Sequence, residues 1–183
     1  GWRQLANTNV MANITSGDSP EEFFVDYFRE IEVRTFIGPA TAADRVPMIP
    51  LIVTPHDWGV LDANVVGMLS TRYHRQTSCM SLYPKYEAIS ADGQGSWFSA
   101  RACGGEVVGL SSARLNRLGS CQIDGFTHKR FASCLQDLVH EASNWGVKQG
   151  ASRIIARVSV EDEEKTELFR YLGFTVIGNG KDF

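Results

Sequence analysis

The residue types best suited to chemistry lie close together in one short stretch of the second half of the chain. A carboxylate such as Asp124 and an imidazole such as His128 can take up or release protons near neutral pH in a suitable environment. Lys129 and Arg130 follow directly and can pair with phosphate groups, and Cys134 carries a thiol. The stretch therefore combines groups for proton transfer with groups for anion binding. Each has a plainer interpretation too: a strand-edge carboxylate, a loop histidine, a solvated basic pair and a small apolar filler.

Other candidates are more isolated along the chain. His56 with Asp57, and His74, lie in loops with no recognisable motif, and His140 falls on the polar side of a predicted helix. The segment 92–95, Asp-Gly-Gln-Gly, lacks the third glycine of a nucleotide-binding turn and precedes a strand, so we interpret it as a loop.

The cysteines suggest neither a metal cage nor a disulfide framework. Four are present, widely spaced and without a CxxC pair: Cys79, Cys103, Cys121 and Cys134. Buried or half-buried thiols are the expected state, and we expect no metal site.

Length and composition restrict the class of protein. The chain has 183 residues, 43% of them hydrophobic and 21% charged, so it can bury one core of ordinary size and is not disordered. Its net charge of -3 argues against a general nucleic-acid binder. No apolar run approaches the roughly 20 residues that span a bilayer, and residues 1–19 lack the apolar centre of a signal peptide. We therefore expect a cytoplasmic protein with no nucleic-acid or membrane partner.

The first part of the chain predicts an N-terminal arm and helix over residues 1–31. Ser19 can cap the helix, Pro20 suits its first turn and Glu22 closes a capping box. Apolar side chains then recur on one helical face: Phe23, Phe24, Tyr27, Phe28 and Ile31. The residues before Ser19 look like a linker, as expected of a domain cut from a larger protein.

A second unit is predicted over residues 32–183, beginning with its least regular part. A short strand at 33–37 is followed by a proline-rich stretch of strand and loop up to residue 56, and then by a helix over 60–74.

A three-stranded meander is predicted next. Strand-like runs at 97–102 and 106–115 are joined around Gly104 and Gly105, whose tolerance of positive φ suits a tight turn. A third run at 121–126 completes the meander.

Helices and strands alternate after the meander. Residues 135–145 are amphipathic at helical spacing, and Gly146 is the predicted end of that helix. A strand at 152–160, a helix at 162–172 and a last strand at 174–177 follow. This order predicts an α/β (α+β) fold with partly parallel pairing.

Three segments of the last ~85 residues share their order with a known family. Residues 168–174, Leu-Phe-Arg-Tyr-Leu-Gly-Phe, are similar to its aliphatic-Tyr-x-x-Leu-Gly-Phe ending, and residues 107–110, Val-Val-Gly-Leu, to its third strand. Residues 145–155 match its helix, glycine and aliphatic strand. Together they resemble the GNAT superfamily of acyl-CoA N-acyltransferases. The resemblance implies a mixed central sheet with splayed strands, flanked by helices.

The resemblance also implies a co-substrate, acetyl-CoA or another acyl-CoA. In that family a Gln/Arg-x-x-Gly-x-Gly/Ala loop brings backbone N–H groups and a helix start to the pyrophosphate. Thr127, Arg130 and Ala132 fall at its defined positions, and only Ala132 agrees. Arg130 either crowds the pyrophosphate or pairs with it. The implied cofactor-binding residues are Phe126, Thr127, Lys129, Arg130, Phe131, Ala132, Ser133 and Cys134.

Three catalytic candidates come from the same resemblance. Asp124 lies where related enzymes often have an acidic residue that draws a proton from the acceptor amine, and His128 lies close to the expected thioester. The tyrosine that often protonates the leaving thiolate is Phe169 here. Tyr171 is the third candidate, although it lies roughly 200° further around the helix and does not simply replace that hydroxyl.

The expected function is transfer of an acetyl or other short acyl group from coenzyme A to an amine of a small molecule or a protein. Two alternatives stay open. One is a non-catalytic binding module with a closed cofactor cleft, suggested by Arg130 and Phe169. The other is decarboxylation or S-acyl transfer, as in some GNAT-like domains of biosynthetic assembly lines. The sequence leaves the oligomeric state open.

Overall fold

A mixed five-stranded sheet forms the centre of the molecule. The computed structural model describes residues 2–4, 11–13, 27–53, 93–158 and 163–178. A separate antiparallel pair consists of β1 (Trp2–Gln4) and β2 (Met11–Asn13). The main sheet has the order β3 (Thr35–Pro39), β4 (Gly95–Ala102), β5 (Val107–Leu115), β6 (Ser120–Thr127) and β7 (Arg153–Ala156). Neighbours from β3 to β6 are antiparallel, and β6 and β7 are parallel. The predicted α/β fold with partly parallel pairing is confirmed.

Helices lie between and after these strands. They are α1 (Ile49–Val53), α2 (Leu135–Lys148) and α3 (Glu163–Tyr171), with 3-10 helices at Ala42–Arg45 and Lys129–Cys134. Residues 27–30 are also helical. In the described ranges, no helix is both long and apolar enough to cross a membrane.

The predicted meander is present with nearly the expected bounds. The turn between β4 and β5 contains Gly105 at φ 92°, a conformation that side chains with a Cβ rarely adopt. β5 is buried along almost its whole length, which is typical of a central strand covered on both faces. Its valines and leucine, Val107, Val108 and Leu110, belong to the hydrophobic core cluster of the described residues.

Alternation along β6 shows that α2 and α3 cover opposite faces of the sheet. The Cα positions of Cys121 and Gly125, on one face, lie against Gly146 and Leu135 at the α2 side. Asp124, which points to the other face, contacts Lys165 of α3. The sheet is therefore sandwiched between two helical layers.

The role predicted for Gly146 as a helix end is wrong. α2 continues to Lys148, and the left-handed residue that follows it is Gly150, at φ 80°. Gly146 is buried, and a Cβ there would come within 2.8 Å of the Cys121 Cβ and Sγ atoms. Its missing side chain permits the close approach of α2 to β6.

The ladder between β6 and β7 is short. Their pairing runs from Ser120 with Arg153 to Ile123 with Ala156, whereas β6 itself continues to Thr127. β7 is shorter than the strand predicted at 152–160. β6 therefore extends beyond the end of β7, at the edge where the resemblance implies splayed strands.

The strand predicted at 174–177 is wrong. Residues 174–178 have no regular structure, and Val176 and Ile177 are exposed. Phe174 packs edge-on against Phe169, with 4.9 Å between ring centroids. No strand in the described part of the chain offers these residues a ladder, and an apolar run without a partner does not form a strand.

The first half agrees only in part with its predictions where it is described. The predicted strand at 33–37 lies at Thr35–Pro39, and the proline-rich stretch contains α1 rather than only strand and loop. Phe28 and Ile31 are buried in the main core, so the end of the predicted arm packs on the sheet. The predicted helix at 60–74, together with His56, His74 and Cys79, lies outside the described residues.

Candidate functional site

A buried ion pair lies where β6 leaves β7. Asp124 follows Ile123, the last residue of the β6–β7 ladder, and its Oδ1 accepts hydrogen bonds from Lys165 Nζ at 2.7 Å and from the Gly125 N–H at 2.8 Å. The side chains of Asp124 and Lys165 are only 2% and 6% exposed. Because charges are costly to bury, such a pair holds its two partners together strongly.

The helix α3 places Lys165 in this position. Its first turn carries Glu163 and Glu164, which suit the positive end of the helix dipole and stay exposed. Lys165 and Phe169 are one turn apart, and both are buried. Sequence reasoning missed Lys165. The available signal was its spacing of four from the apolar Phe169, which puts a lysine on the packed face.

His128 is buried at the end of β6 and caps the next helix. Its backbone N–H donates to the Val108 carbonyl at 2.9 Å, and its Nδ1 accepts from the Arg130 N–H at 3.2 Å. Its ring stacks on Phe28, with 4.0 Å between centroids and 11° between planes. His128 is thus a packed residue, which differs from its plainer interpretation as a solvent-facing histidine.

The segment implied as the cofactor loop forms a 3-10 helix, Lys129–Cys134, that leads directly into α2. The Phe131 N–H donates to the His128 carbonyl at 2.8 Å, and the Leu135 N–H donates to the Ala132 carbonyl. The segment is kinked at Phe131, whose φ and ψ are −113° and 21°. Its backbone is therefore wound tightly rather than held open by glycines.

Arg130 contacts the N-terminal helix. Its Nη1 donates to the carbonyl oxygens of Phe28 and Arg29, and its guanidinium lies 5.7 Å from the centre of the Phe131 ring. The side chain thereby joins the end of helix 27–30 to the start of the α2 region.

The other residues of this segment divide by exposure. Lys129, Ala132 and Ser133 are exposed, whereas Phe131 and Cys134 are buried. Burial raises the pKa of Cys134 to about 12, so its thiol is protonated at neutral pH and is a poor nucleophile. Its interpretation as a small apolar filler agrees with this position.

The structure brings some predicted site residues together and leaves others apart. Asp124, Phe126, Thr127 and His128 are consecutive or nearly so at the C-terminal end of β6, and all are buried. Tyr171 is 79% exposed. It is two residues beyond the buried Phe169, so it points away from the face that carries Lys165. His140 is exposed, as predicted, and lies 3.3 Å from the Asn144 amide.

The chemistry available here is proton transfer and anion binding. Asp124 and Lys165 supply a proton acceptor and a proton donor next to the gap between β6 and β7. The start of α2 supplies the positive end of a 14-residue helix beside the exposed, small Ala132 and Ser133. Within the described residues, no cluster of three or more His, Cys, Asp or Glu side chains is arranged to hold a metal ion.

No protein-family model and no curated protein matches this sequence. Many solved structures resemble its fold. The PaiA N-acetyltransferase from Thermoplasma acidophilum, in complex with coenzyme A, is 12% identical with a TM-score of 0.63, over 80% of this chain and 94% of that one. A GNAT-family acetyltransferase from Staphylococcus aureus Mu50 is 14% identical, with a TM-score of 0.60 over 80% and 88%. Glucosamine-6-phosphate N-acetyltransferase from Arabidopsis thaliana is 13% identical, with a TM-score of 0.56 over 80% and 95%. At these identities the likeness is one of fold.

Proposed function

We propose that this chain, which has the fold of the GNAT acetyltransferases, is an acyltransferase that moves an acetyl or other short acyl group from coenzyme A to an amine. The observation that carries the proposal is the end of the β6–β7 ladder at Ile123 and Ala156, beyond which β6 continues to Thr127 next to the start of α2. A neighbour with this fold is described in complex with coenzyme A.

The proposed cofactor position follows from the geometry of this gap. The pantetheine arm lies along β6 between Asp124 and Thr127, and a main-chain N–H near Phe126 polarises the thioester carbonyl. The pyrophosphate lies at Ala132 and Ser133, where the helix dipole favours an anion. Such positioning supplies much of the rate of a two-substrate reaction.

The complete reaction neither takes up nor releases a proton. The amine nitrogen attacks the thioester carbon, the carbon–sulfur bond breaks, and the sulfur leaves with the electron pair. The proton lost by the amine ends on the coenzyme A thiol. We assign the acceptance of that proton to Asp124 and the donation to the thiolate to Lys165, because these two groups are paired at the gap.

The direct test is a calorimetric titration of the protein with acetyl-CoA. Saturable binding is expected, and no detectable heat up to millimolar ligand overturns the proposal. Ala132→Glu places a carboxylate beside the proposed phosphate position and should weaken binding about tenfold, or 1.4 kcal/mol. Gln149→Glu adds the same charge at the far end of α2 and should leave binding unchanged. Thiol release with a panel of amines then measures turnover.

One observation favours a second candidate, a non-catalytic binding module. Arg130 occupies the first glycine position of the implied loop and is held by the Phe28 and Arg29 carbonyls, while the loop itself is wound into a 3-10 helix. On this alternative, Arg130→Gly creates or strengthens acetyl-CoA binding. Turnover of acetyl-CoA by the wild-type protein excludes it.

A further inference from the structure

A cavity of about 340 Å³ opens beside the turn between β4 and β5. Its walls come from three separate parts of the fold: Tyr27 from the N-terminal helix, Pro47 and Pro50 from the segment around α1, and Glu106 from the turn. This volume is at the lower end of the range of about 300–1,000 Å³ for small-molecule sites.

Most of the cavity wall is apolar. The two prolines have no N–H to donate, and Val46 and Ile49 complete their side of the wall. The Tyr27 ring and the two proline rings offer an apolar surface against which the hydrocarbon part of a ligand can pack. Few groups in the cavity wall can therefore carry a charge or form a hydrogen bond with a ligand.

Glu106 supplies a negative charge that other described residues do not neutralise. Its Oε2 is shielded from solvent and accepts no hydrogen bond within the ranges that the structure describes. The ion pairs found there, Arg101 with Asp44 and Lys165 with Asp124, do not involve it. An unsatisfied buried acceptor costs about 1–3 kcal/mol, and more when charged. Because Glu106 lines the cavity, a cationic group bound there would lie close to this uncompensated carboxylate.

The turn holds the Glu106 carboxylate in place. The carboxylate lies over Gly104, where an added Cβ would overlap both of its oxygens. Burial, with a further contribution from the Glu106 charge, raises the pKa of Tyr27 to about 12. The Tyr27 hydroxyl is then neutral at pH 7, and Glu106 determines the charge of the cavity.

Two elements of the cavity wall also contact the end of β6 through neighbouring residues. Phe28, the neighbour of Tyr27, stacks on His128. Val108, two residues after Glu106, accepts the hydrogen bond from the His128 N–H. Two walls of the cavity are therefore continuous with the residues that hold His128.

We propose that this cavity binds a small hydrophobic primary amine, with its ammonium group on Glu106 and its apolar body against Tyr27 and the prolines. The binding site stands on the geometry alone. Its assignment as the site of the acyl acceptor rests on the proposed function and names the acceptor class.

The test compares phenethylamine with 2-phenylethanol, which has the same body without the charge. Titrations of the full chain, without coenzyme A, are followed by the backbone amide NMR shifts of Gly104, Gly105 and Glu106. The amine should bind at least tenfold more tightly than the alcohol. Glu106→Gln and Gly104→Ala should abolish this preference, and Glu141→Gln, which removes an exposed carboxylate on α2, should preserve it.

Equal binding of amine and alcohol, shifts confined to other residues, or an intact preference in Glu106→Gln overturns the proposal. The acetyl-CoA titration of the same protein separates the two claims. Acetyl-CoA binding without amine binding overturns this site alone. Amine binding without acetyl-CoA binding retains the site and overturns the acyltransferase function. When both bind, Glu106→Gln should raise KM for phenethylamine about tenfold and leave the acetyl-CoA Kd unchanged.

Discussion

The buried contact between Asp124 and Lys165 joins β6 to α3 across the face of the sheet that α2 does not cover. An ion pair in such a position gains little over an apolar pair of the same size, but the loss of one partner leaves an isolated charge in the interior. Replacing only one of the two residues should therefore lower the stability of the protein most.

Lys165→Met should lower the free energy of unfolding by about 3–5 kcal/mol, because the Asp124 carboxylate then lacks its buried partner. Urea denaturation followed by circular dichroism measures the change. Adding Asp124→Asn to Lys165→Met should recover much of the loss, since the amide oxygen can still accept from the Gly125 N–H. A loss below about 0.5 kcal/mol for Lys165→Met, typical of a surface substitution, would contradict the buried pair.

Thiol reactivity should distinguish the exposed cysteine from the buried ones. Cys103 is exposed, whereas Cys121 and Cys134 are buried and burial raises their pKa values to about 11 and about 12. In a Cys79→Ser variant at pH 8, one thiol should react rapidly with a disulfide reagent and two more only after unfolding in urea. Rapid reaction of two thiols in the folded protein would be inconsistent with this packing.

Single site residues were only partly predictable from the sequence. Asp124 could be chosen because it lies in the strand predicted at 121–126 and matches a position to which the GNAT resemblance gives a role. Lys165 was harder to choose, because its spacing from Phe169 favours the packed face whereas a lysine in an acidic first turn is the usual pattern of a solvated helix face. Its burial depends on which face α3 turns to the sheet, which is a tertiary property. For the same reason, nothing in the sequence indicated that Glu106 would fold back over Gly104.

Among the elements, helix 27–30 and the start of the α2 region are joined by the Arg130 side chain as well as by the stacking of His128 on Phe28. Arg130→Met should remove the hydrogen bonds to the Phe28 and Arg29 carbonyls while keeping a similar apolar stem. Amides of residues 30–34 should then exchange with deuterium at least about fivefold faster, because the helix end frays more readily. Lys129→Met, at the exposed neighbouring position, is the control. Equal exchange in both variants would argue against the contact.

The packing of α2 on β6 depends on the absence of a side chain at Gly146. Gly146→Ala should destabilise the protein by about 1–3 kcal/mol through overpacking against Cys121. This sign opposes helix propensity, which favours alanine by up to about 1 kcal/mol. Val147→Ala, at an exposed position on the same helix, should be nearly neutral. Stabilisation by Gly146→Ala in thermal unfolding would disprove the close approach.

The sequence predicts the helices and strands well where the hydrophobic pattern is regular and the pairing partners are close along the chain. The β4–β6 meander and α2 were predicted almost to their ends, because alternation, turn glycines and helical spacing all agree there. The segment 174–177 has the same apolar character, yet no neighbouring strand in the described structure pairs with it. Strand prediction fails in this case because a strand is defined by its partner.

For the molecule as a whole, burial of weak acids predicts a loss of stability at alkaline pH. Tyr27, Cys121 and Cys134 have folded pKa values of about 12, 11 and 12, above their ordinary values of 10.0 and 9.0. Unfolding therefore releases protons in this range. Their contribution is complete below pH 9 and is lost as pH rises towards 11 and 12.

Urea midpoints measured from pH 8 to pH 10.5 should thus decrease, and Cys134→Val should make the decrease shallower because it removes one buried weak acid. The pKa of Cys103 is also raised, first by desolvation, but the thiol is exposed, so Cys103→Ser should change the slope less than Cys134→Val. A wild-type midpoint that is constant over this range would contradict the burial of these groups.

The lengths of the strand ladders indicate where local unfolding of the sheet should begin. β5 and β6 are paired from Gly109 to Leu115, whereas β6 and β7 are paired only over Ser120–Ile123. The shorter ladder is the weaker one, so β7 can separate from β6 while the meander stays paired. The proposed ligand position is therefore also the place where separation of the sheet would begin. A ligand bound across it would stabilise the contact between β6 and β7.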